Sequence, residues 1–275
     1  MGGAMTDTRG NPDVPHQLTA AERPAPAHRP AQRTPGRVAV ALLGGFRLTL
    51  DGSDVELPGG AQRLTAALAL SGRMSRSRLA GTLWPETEEH RALARLRTGI
   101  WRVNQAAPEL VVTAAGEIAL HARTEVDVRD VVDRSLRVLH GGEVEPAVWS
   151  SGEEAGDLLP GWEDEWLADA RERLRQMRLH VMETVAERLC ETGSYGLAIE
   201  VALTVLRADM LRESAHRVLV RVHLAEGNIG EAWRAYETCV HVLDRELGVR
   251  PTRATSDLLA GRPPGVRRRG LSHPH

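Results

Sequence analysis

Arg91, Arg95, Thr98 and Arg102 follow one another at spacings of four, three and four residues. On a helix turning about 100° per residue they share one side. A guanidinium is the side chain best able to fork onto guanine O6 and N7 or to clasp a phosphate. Such a row has the chemistry to read a major groove. Leu93, Leu96, Ile100 and Val103 form a second stripe, suited to packing on neighbouring helices. An ordinary amphipathic helix with a solvated arginine face carries the same pattern. What separates the two readings is where this helix stands in the chain.

The elements before it place it third. Residues 38–43, 46–50 and 55–57 are short β-prone runs separated by Gly44-Gly45 and Asp51-Gly52, which predicts a small antiparallel sheet. Helical spacing then takes over at residues 62–70, with Leu64, Ala67, Leu68 and Leu70 apolar and Gly72 as the stop. Ser75 or Ser77 can cap a second, short helix that ends near Trp84 before Pro85. Thr87 can cap the third helix, which runs to about Asn104, and Glu88 and Glu89 complement the dipole of its first turn. Residues 110–113 and 117–120, joined by Ala114-Ala115-Gly116, read as a β-hairpin. Sheet, three helices, hairpin is the winged helix-turn-helix order.

From residue 126 onward the pattern is helical, apart from a Gly, Glu and Pro-containing loop over 141–156. Gly193-Ser-Tyr195-Gly-Leu-Ala198 recurs 34 residues later as Gly227-Asn-Ile229-Gly-Glu-Ala232. That offset and the Gly-x-Φ-x-x-Ala core are tetratricopeptide features, with Gly for the interhelical turn and Ala for close backbone approach. The second copy continues with Tyr236 where the first has Ala202, and Met210 and Asp244 stand where a closing Pro is usual. The expected fold class is mainly α with small β-sheets: an N-terminal winged helix-turn-helix, then an all-α tetratricopeptide-like domain.

Charge divides the chain in the same place. Residues 37–123 carry eleven Arg against eight acids, and residues 124–261 sixteen Arg against twenty-six. A basic block before an acidic one suits a chain whose halves meet different partners, although solvated helix faces alone can produce it. All 35 basic residues are arginine. Without lysine there is no nucleotide-loop lysine, no kinase strand lysine and no pyridoxal Schiff base. The longest aliphatic run, residues 38–43, is far shorter than the roughly 20 residues of a membrane span. Two cysteines suit a reducing cytoplasm rather than a disulfide scaffold.

Other reactive residue types suggest no further chemistry. The eleven histidines make no metal-ligand motif, and His216 and His223 lie seven apart. Cys190 and Cys239 fall where small apolar residues pack in the repeat helices, so they read as structural thiols. Glu163-Asp-Glu165 lies between Trp162 and Trp166 and reads as a helix start anchored in the core. No cofactor, metal or enzymatic activity is expected.

Several stretches together resemble the Streptomyces antibiotic regulatory protein family. Leu42-Leu-Gly-Gly-Phe-Arg-Leu-Thr-Leu-Asp-Gly52 looks like its opening sheet, and Gly60-Ala-Gln-Arg63 leads into its first helix. Leu79-Ala-Gly-Thr-Leu-Trp-Pro85 is similar to its second helix, and Leu96-Arg-Thr-Gly-Ile-Trp-Arg-Val103 to its recognition helix. Leu158-Leu-Pro-Gly-Trp-Glu-Asp-Glu-Trp-Leu167, then Glu172-Arg-Leu-Arg175, resembles the hallmark of its activation domain. Glu246-Leu-Gly-Val-Arg-Pro251 resembles the end of the last repeat.

The resemblance implies a transcriptional activator that binds double-stranded DNA at direct repeats near a promoter. It further implies a side-by-side homodimer, recruitment of RNA polymerase holoenzyme, and control of a secondary-metabolite cluster. A chain with one winged helix and one activation domain corresponds to the small single-module form. It would act in the cytoplasm at the nucleoid, away from membranes. The expected division is a disordered extension over 1–36, DNA binding over 37–123, bacterial transcriptional activation over 124–261 and a disordered basic tail over 262–275, with Arg267-Arg-Arg269 at a flexible end.

Four residues limit which parts can touch DNA. Gly99 costs the third helix about 1 kcal/mol of propensity against Ala. Glu88 and Glu89 oppose close approach of the helix start to phosphate. The hairpin tip carries Glu117 and no arginine, which disfavours minor-groove insertion. Base readout then falls to Arg91, Arg95, Thr98 and Arg102, with Gln62, Arg63, Arg76 and Arg78 as phosphate contacts. The alternative function is a tetratricopeptide-like interaction adaptor whose N-terminal fold does not bind DNA. An adaptor has no need of the arginine row.

Overall fold

A computed structural model describes residues 36–143 and 156–261. The disorder expected at both ends, including the tail arginines, concerns residues outside that range except for Gly36, as does most of the 141–156 loop.

The chain opens with β1 (Val38–Ala41), β2 (Arg47–Leu50) and β3 (Ser53–Asp54), antiparallel neighbours in sequence order. Val40 faces Leu48 across the ladder and both are buried. The third run was expected at residues 55–57. Asp51 and Gly52 instead make a two-residue turn, with φ of 52° and 82°, so pairing resumes at once at Ser53. Val55 N–H still donates to Leu48 carbonyl at 2.8 Å before the chain leaves for Pro58. A two-residue strand, β7 (Glu125–Val126), pairs parallel to β1 and completes the order β3-β2-β1-β7.

α1 (Gly59–Ser71) begins three residues ahead of the expected Gln62, because the Pro58 carbonyl accepts from Ala61 and Gln62 N–H. Gly72, at φ 73°, closes it. β4 (Met74–Ser75) leads into α2 (Arg76–Leu83), which Ser75 caps by accepting from Arg78 N–H. α3 (Glu89–Ala106) follows Glu88 as its cap residue. Thr87 does not cap it; its hydroxyl accepts from the Arg95 guanidinium at 3.1 Å. β5 (Val111–Ala114) and β6 (Glu117–Leu120) form the expected hairpin, with left-handed Ala115 and Gly116 at its tip and β4 on its other edge. Asn104 secures the wing, donating to and accepting from the Val111 backbone at 2.9 Å.

The remainder is helical: α4 (Asp127–Leu139), a 3-10 turn at Glu165–Leu167, α5 (Ala168–Glu191), α6 (Tyr195–Ala208), α7 (Glu213–Ala225), α8 (Ile229–Leu247) and α9 (Arg253–Ser256). Gly193 and Gly227, both at φ 78°, close the helices that precede α6 and α8. Ala198 and Ala232, the paired small residues of the repeat, are fully buried. Tyr236 packs edge-on against Trp233, centroids 5.9 Å apart, whereas Ala202 is buried in the first copy. The fold is a winged helix-turn-helix followed by a tetratricopeptide-like helical domain.

One core joins the two halves. Val40, Leu64, Leu96 and Ile118 belong to the same cluster as Leu158, Leu159, Leu167 and Leu174. Asp127, in the first turn of α4, accepts from Leu42 and Leu43 N–H at 2.8–3.0 Å. Gly44 N–H donates to Asp157 carbonyl, and Leu159 N–H to Leu42 carbonyl, both at 2.9 Å. The hallmark loop is therefore bonded to the strand that opens the winged helix. Phe46 stacks on Trp162 across the same seam.

Candidate nucleic-acid interface

α3 is held from one side. Ala92, Leu96 and Val103 are buried, Leu93 and Ile100 are half-buried, and Gly99 lies against α1. A Cβ at Gly99 would stand 3.0 Å from Leu64 Cδ1, so this glycine permits close helix approach at its cost in helix propensity.

The opposite side is exposed along its length. Arg91, Arg95, Thr98 and Arg102 all lie on it. Arg91 pairs at 3.6 Å with Glu88, an exposed contact that phosphate can replace. The Thr98 hydroxyl donates to Ala94 carbonyl at 3.2 Å. Taking about 100° per residue from the buried trio, the outward direction passes through Ala94, Trp101 and Gln105 rather than the arginine row. Arg91 and Arg97 flank that line at about 60° on either side, and Arg102 and Arg95 lie about 80–100° away. The sequence reading passed over two residues of this face, Arg97 and Trp101. Trp101 is 61% exposed. The wheel contains both, but its outward direction is defined only when the buried trio is known.

The four peripheral candidates divide. Arg76 and Arg78 are exposed at the start of α2, and Arg76 reaches Thr113 Oγ1 of the wing at 3.5 Å. They border the wing, where Arg73 lies 3.7 Å from Glu117 and offsets the acidic charge of the hairpin. Gln62 and Arg63 are engaged elsewhere. The Gln62 amide donates to Leu57 carbonyl at 2.8 Å and is half-buried. Arg63 pairs with Asp164 at 3.0 Å and covers the Trp162 ring at 5.4 Å. Gln62 braces the start of α1 and Arg63 ties the winged helix to the hallmark loop.

Other titratable groups serve the fold. Burial pushes the Cys239 thiol up to about 11 and raises that of Cys190. Burial lowers the His216 imidazole, whose Nε2 lies 3.0 Å from Met210 carbonyl. Among the described residues no group of three or more His, Cys, Asp or Glu could hold a metal ion. Nor, among them, is any helix long and apolar enough to cross a membrane. A cleft of about 900 Å³ lies beside the hallmark loop, but Arg171 and Arg175 on its wall are already paired. Arg175 and Gln176 hold the Glu172 carboxyl at about 2.

Residues 147–260 match the family described as bacterial transcriptional activator domain. Over 269 residues the chain is 26% identical to the regulatory protein AfsR of Streptomyces coelicolor, covering 90% of this chain and 26% of that one. Over the matched stretches the chain is similar to regulators that carry this activator domain. Regulatory protein AfsR of Streptomyces griseus is 29% identical over 258 residues, covering 83% and 25%. The chain thus spans about a quarter of the length of these curated relatives. Among solved structures, Mycobacterium tuberculosis EmbR in complex with a low affinity phosphopeptide aligns with a TM-score of 0.66 at 18% identity. That alignment covers 81% of this chain and 64% of EmbR, a likeness of fold. A winged helix joined to a helical domain that matches the activator family is what this chain displays.

Proposed function

We propose that this chain is a sequence-specific DNA-binding activator of transcription. On this reading residues 37–123 bind DNA, with α3 in the major groove and Arg91, Arg95, Thr98 and Arg102 among its contacts. Arg76 and Arg78 reach the backbone beside it. One observation carries the reading. Residues 90–105 contain four arginines and no acid, and those arginines lie on the exposed side of a helix whose other side is locked in the core. A polyanion is the partner such a face selects.

The acidic helical half, residues 124–261, then carries the contacts that recruit RNA polymerase holoenzyme, and a side-by-side homodimer occupies direct repeats near the promoter. The resemblance to antibiotic regulators supports a secondary-metabolite gene cluster as the target. The chain works at the nucleoid, in the cytoplasm, without a cofactor and without catalysing a reaction.

A band-shift series on the chain's own upstream DNA tests this. Affinity is expected to fall steeply with salt and to drop about tenfold or more in an Arg95→Ala/Arg102→Ala variant. Absent or salt-independent binding would instead make the helical half an interaction adaptor.

A further inference from the structure

The large aromatic side chain on α3 has no role in the fold. Trp101 is 61% exposed, and its indole belongs to no ring pair or cation contact among the described residues. Exposing that much apolar surface forgoes a burial free energy that Trp elsewhere in this chain collects: Trp84, Trp162 and Trp166 all pack against the main core. Its place on the helix is specific. At about 100° per residue Trp101 stands within roughly 20° of the outward axis, in line with Ala94 and Gln105. Ala94 is small and exposed, and Thr98 is exposed with its hydroxyl engaged by Ala94 carbonyl.

The surroundings decide among partners. Arg97 flanks the indole on one side and Arg91 and Arg102 on the other, and no acid occurs from His90 to Gln105. A second copy of this face would bring like charges together. An apolar surface on a polyanion suits it, and the major groove offers one in the C5-methyl of thymine. With Trp101 on the groove floor, the arginines at its flanks stand within reach of guanine edges and phosphates.

We propose, on the basis of the DNA-binding reading above, that Trp101 is the apolar base-reading residue of α3. It packs on a thymine methyl once in each half-site, with Thr98 beside it. The arginines supply affinity and contacts to guanine, and Trp101 adds discrimination between thymine and other bases at its own step.

The probe is duplex DNA enriched from a random pool by the wild-type chain. Trp101→Ala should bind the enriched duplex about tenfold more weakly, and Trp101→Phe within about threefold of wild type, since a phenyl ring keeps the methyl contact. Both variants should keep the wild-type melting temperature and the wild-type affinity for unrelated duplex. Replacing single thymines by deoxyuridine removes only the methyl. It should weaken wild type at one position per half-site and leave Trp101→Ala unaffected. A Trp101→Ala variant that binds the enriched duplex as tightly as wild type overturns the proposal and leaves the DNA-binding reading intact. Failure of the wild-type chain to enrich any duplex overturns both.

Discussion

Arg63 Nε lies 3.0 Å from both carboxylate oxygens of Asp164, a residue 101 positions later in the chain. The Trp162 ring lies beneath the same guanidinium, 5.4 Å from its carbon. Together with the bonds from Asp127 to Leu42 and Leu43, this pair fixes the hallmark loop to the winged helix.

Arg63 is a fastening, so its loss should be felt in stability. The guanidinium is 45% exposed and Asp164 15%, so the ion pair and ring contact together stabilise by about 1 kcal/mol. Arg63→Ala should lower the urea midpoint accordingly and leave DNA affinity within about twofold, since α3 is untouched. A tenfold loss of DNA affinity with unchanged stability would reassign Arg63 to the phosphate backbone.

Gly99 should not tolerate a side chain. A Cβ there meets Leu64 Cδ1 at 3.0 Å, and Leu64 is fully buried. Alanine gains about 1 kcal/mol of helix propensity but has to push a packed leucine, which costs about 1–3 kcal/mol. Gly99→Ala should therefore lower the melting temperature, and Gly99→Val should lower it further. A rise with Gly99→Ala would show that Leu64 moves aside without penalty.

Arg171 donates to three carbonyls at once: Leu158 at 3.0 Å, Leu159 at 2.7 Å and Trp162 at 2.9 Å. It holds a turn in which Leu159 adopts φ 47°, a left-handed conformation that a leucine avoids. Arg171→Ala should cost about 3 kcal/mol in chemical denaturation, because three part-buried acceptors lose a charged donor. Arg171→Lys should recover little, since an ammonium cannot span the planar fork. Full rescue by lysine would reduce the role of Arg171 to its charge.

Glu213 secures the C-terminal end of the repeat domain, accepting from Thr252 N–H at 3.0 Å and from the Thr252 and Thr255 hydroxyls. Burial pushes its carboxyl up, but the Thr252 and Thr255 hydrogen bonds outweigh this and hold it below the ordinary value. A depressed carboxyl stabilises the fold above its unfolded pKa of about 4.3, and that stabilisation is lost as pH falls through the folded value. Glu213→Gln should thus cost about 2 kcal/mol near neutrality, with the gap to wild type closing below about pH 4. A gap independent of pH would mean the carboxylate charge contributes nothing.

Much of this architecture is legible in local signals. Asp51-Gly52, Gly72, Ser75 and Ala115-Gly116 each mark a turn or cap where the structure has one, because left-handed backbone and side-chain capping are properties of single residues. The 34-residue offset of Gly193 and Gly227 marks the helix pairs for the same reason. β4 and β7 were not legible, because two residues have no periodicity and their pairing depends on β6 and β1 arriving from elsewhere. Thr87 looked like a cap, yet its hydroxyl is taken by Arg95, eight residues later. The pairing of Arg63 with Asp164 was not legible either, because its partner is remote in sequence. On α3, charge alone drew attention to Arg91, Arg95 and Arg102 and away from Trp101.

The central claim is that α3 enters the major groove with its arginine-flanked face, and dimethyl sulfate protection tests it most directly. Guanine N7 is methylated in the major groove and adenine N3 in the minor groove, so one reagent reports both. Wild-type chain bound to its enriched duplex should protect guanine N7 in each half-site and leave adenine N3 of those half-sites reactive. Arg102→Ala or Arg95→Ala should restore methylation at specific guanines. Unprotected guanines on a bound duplex, or protection that survives all four arginine substitutions on α3, would contradict the account.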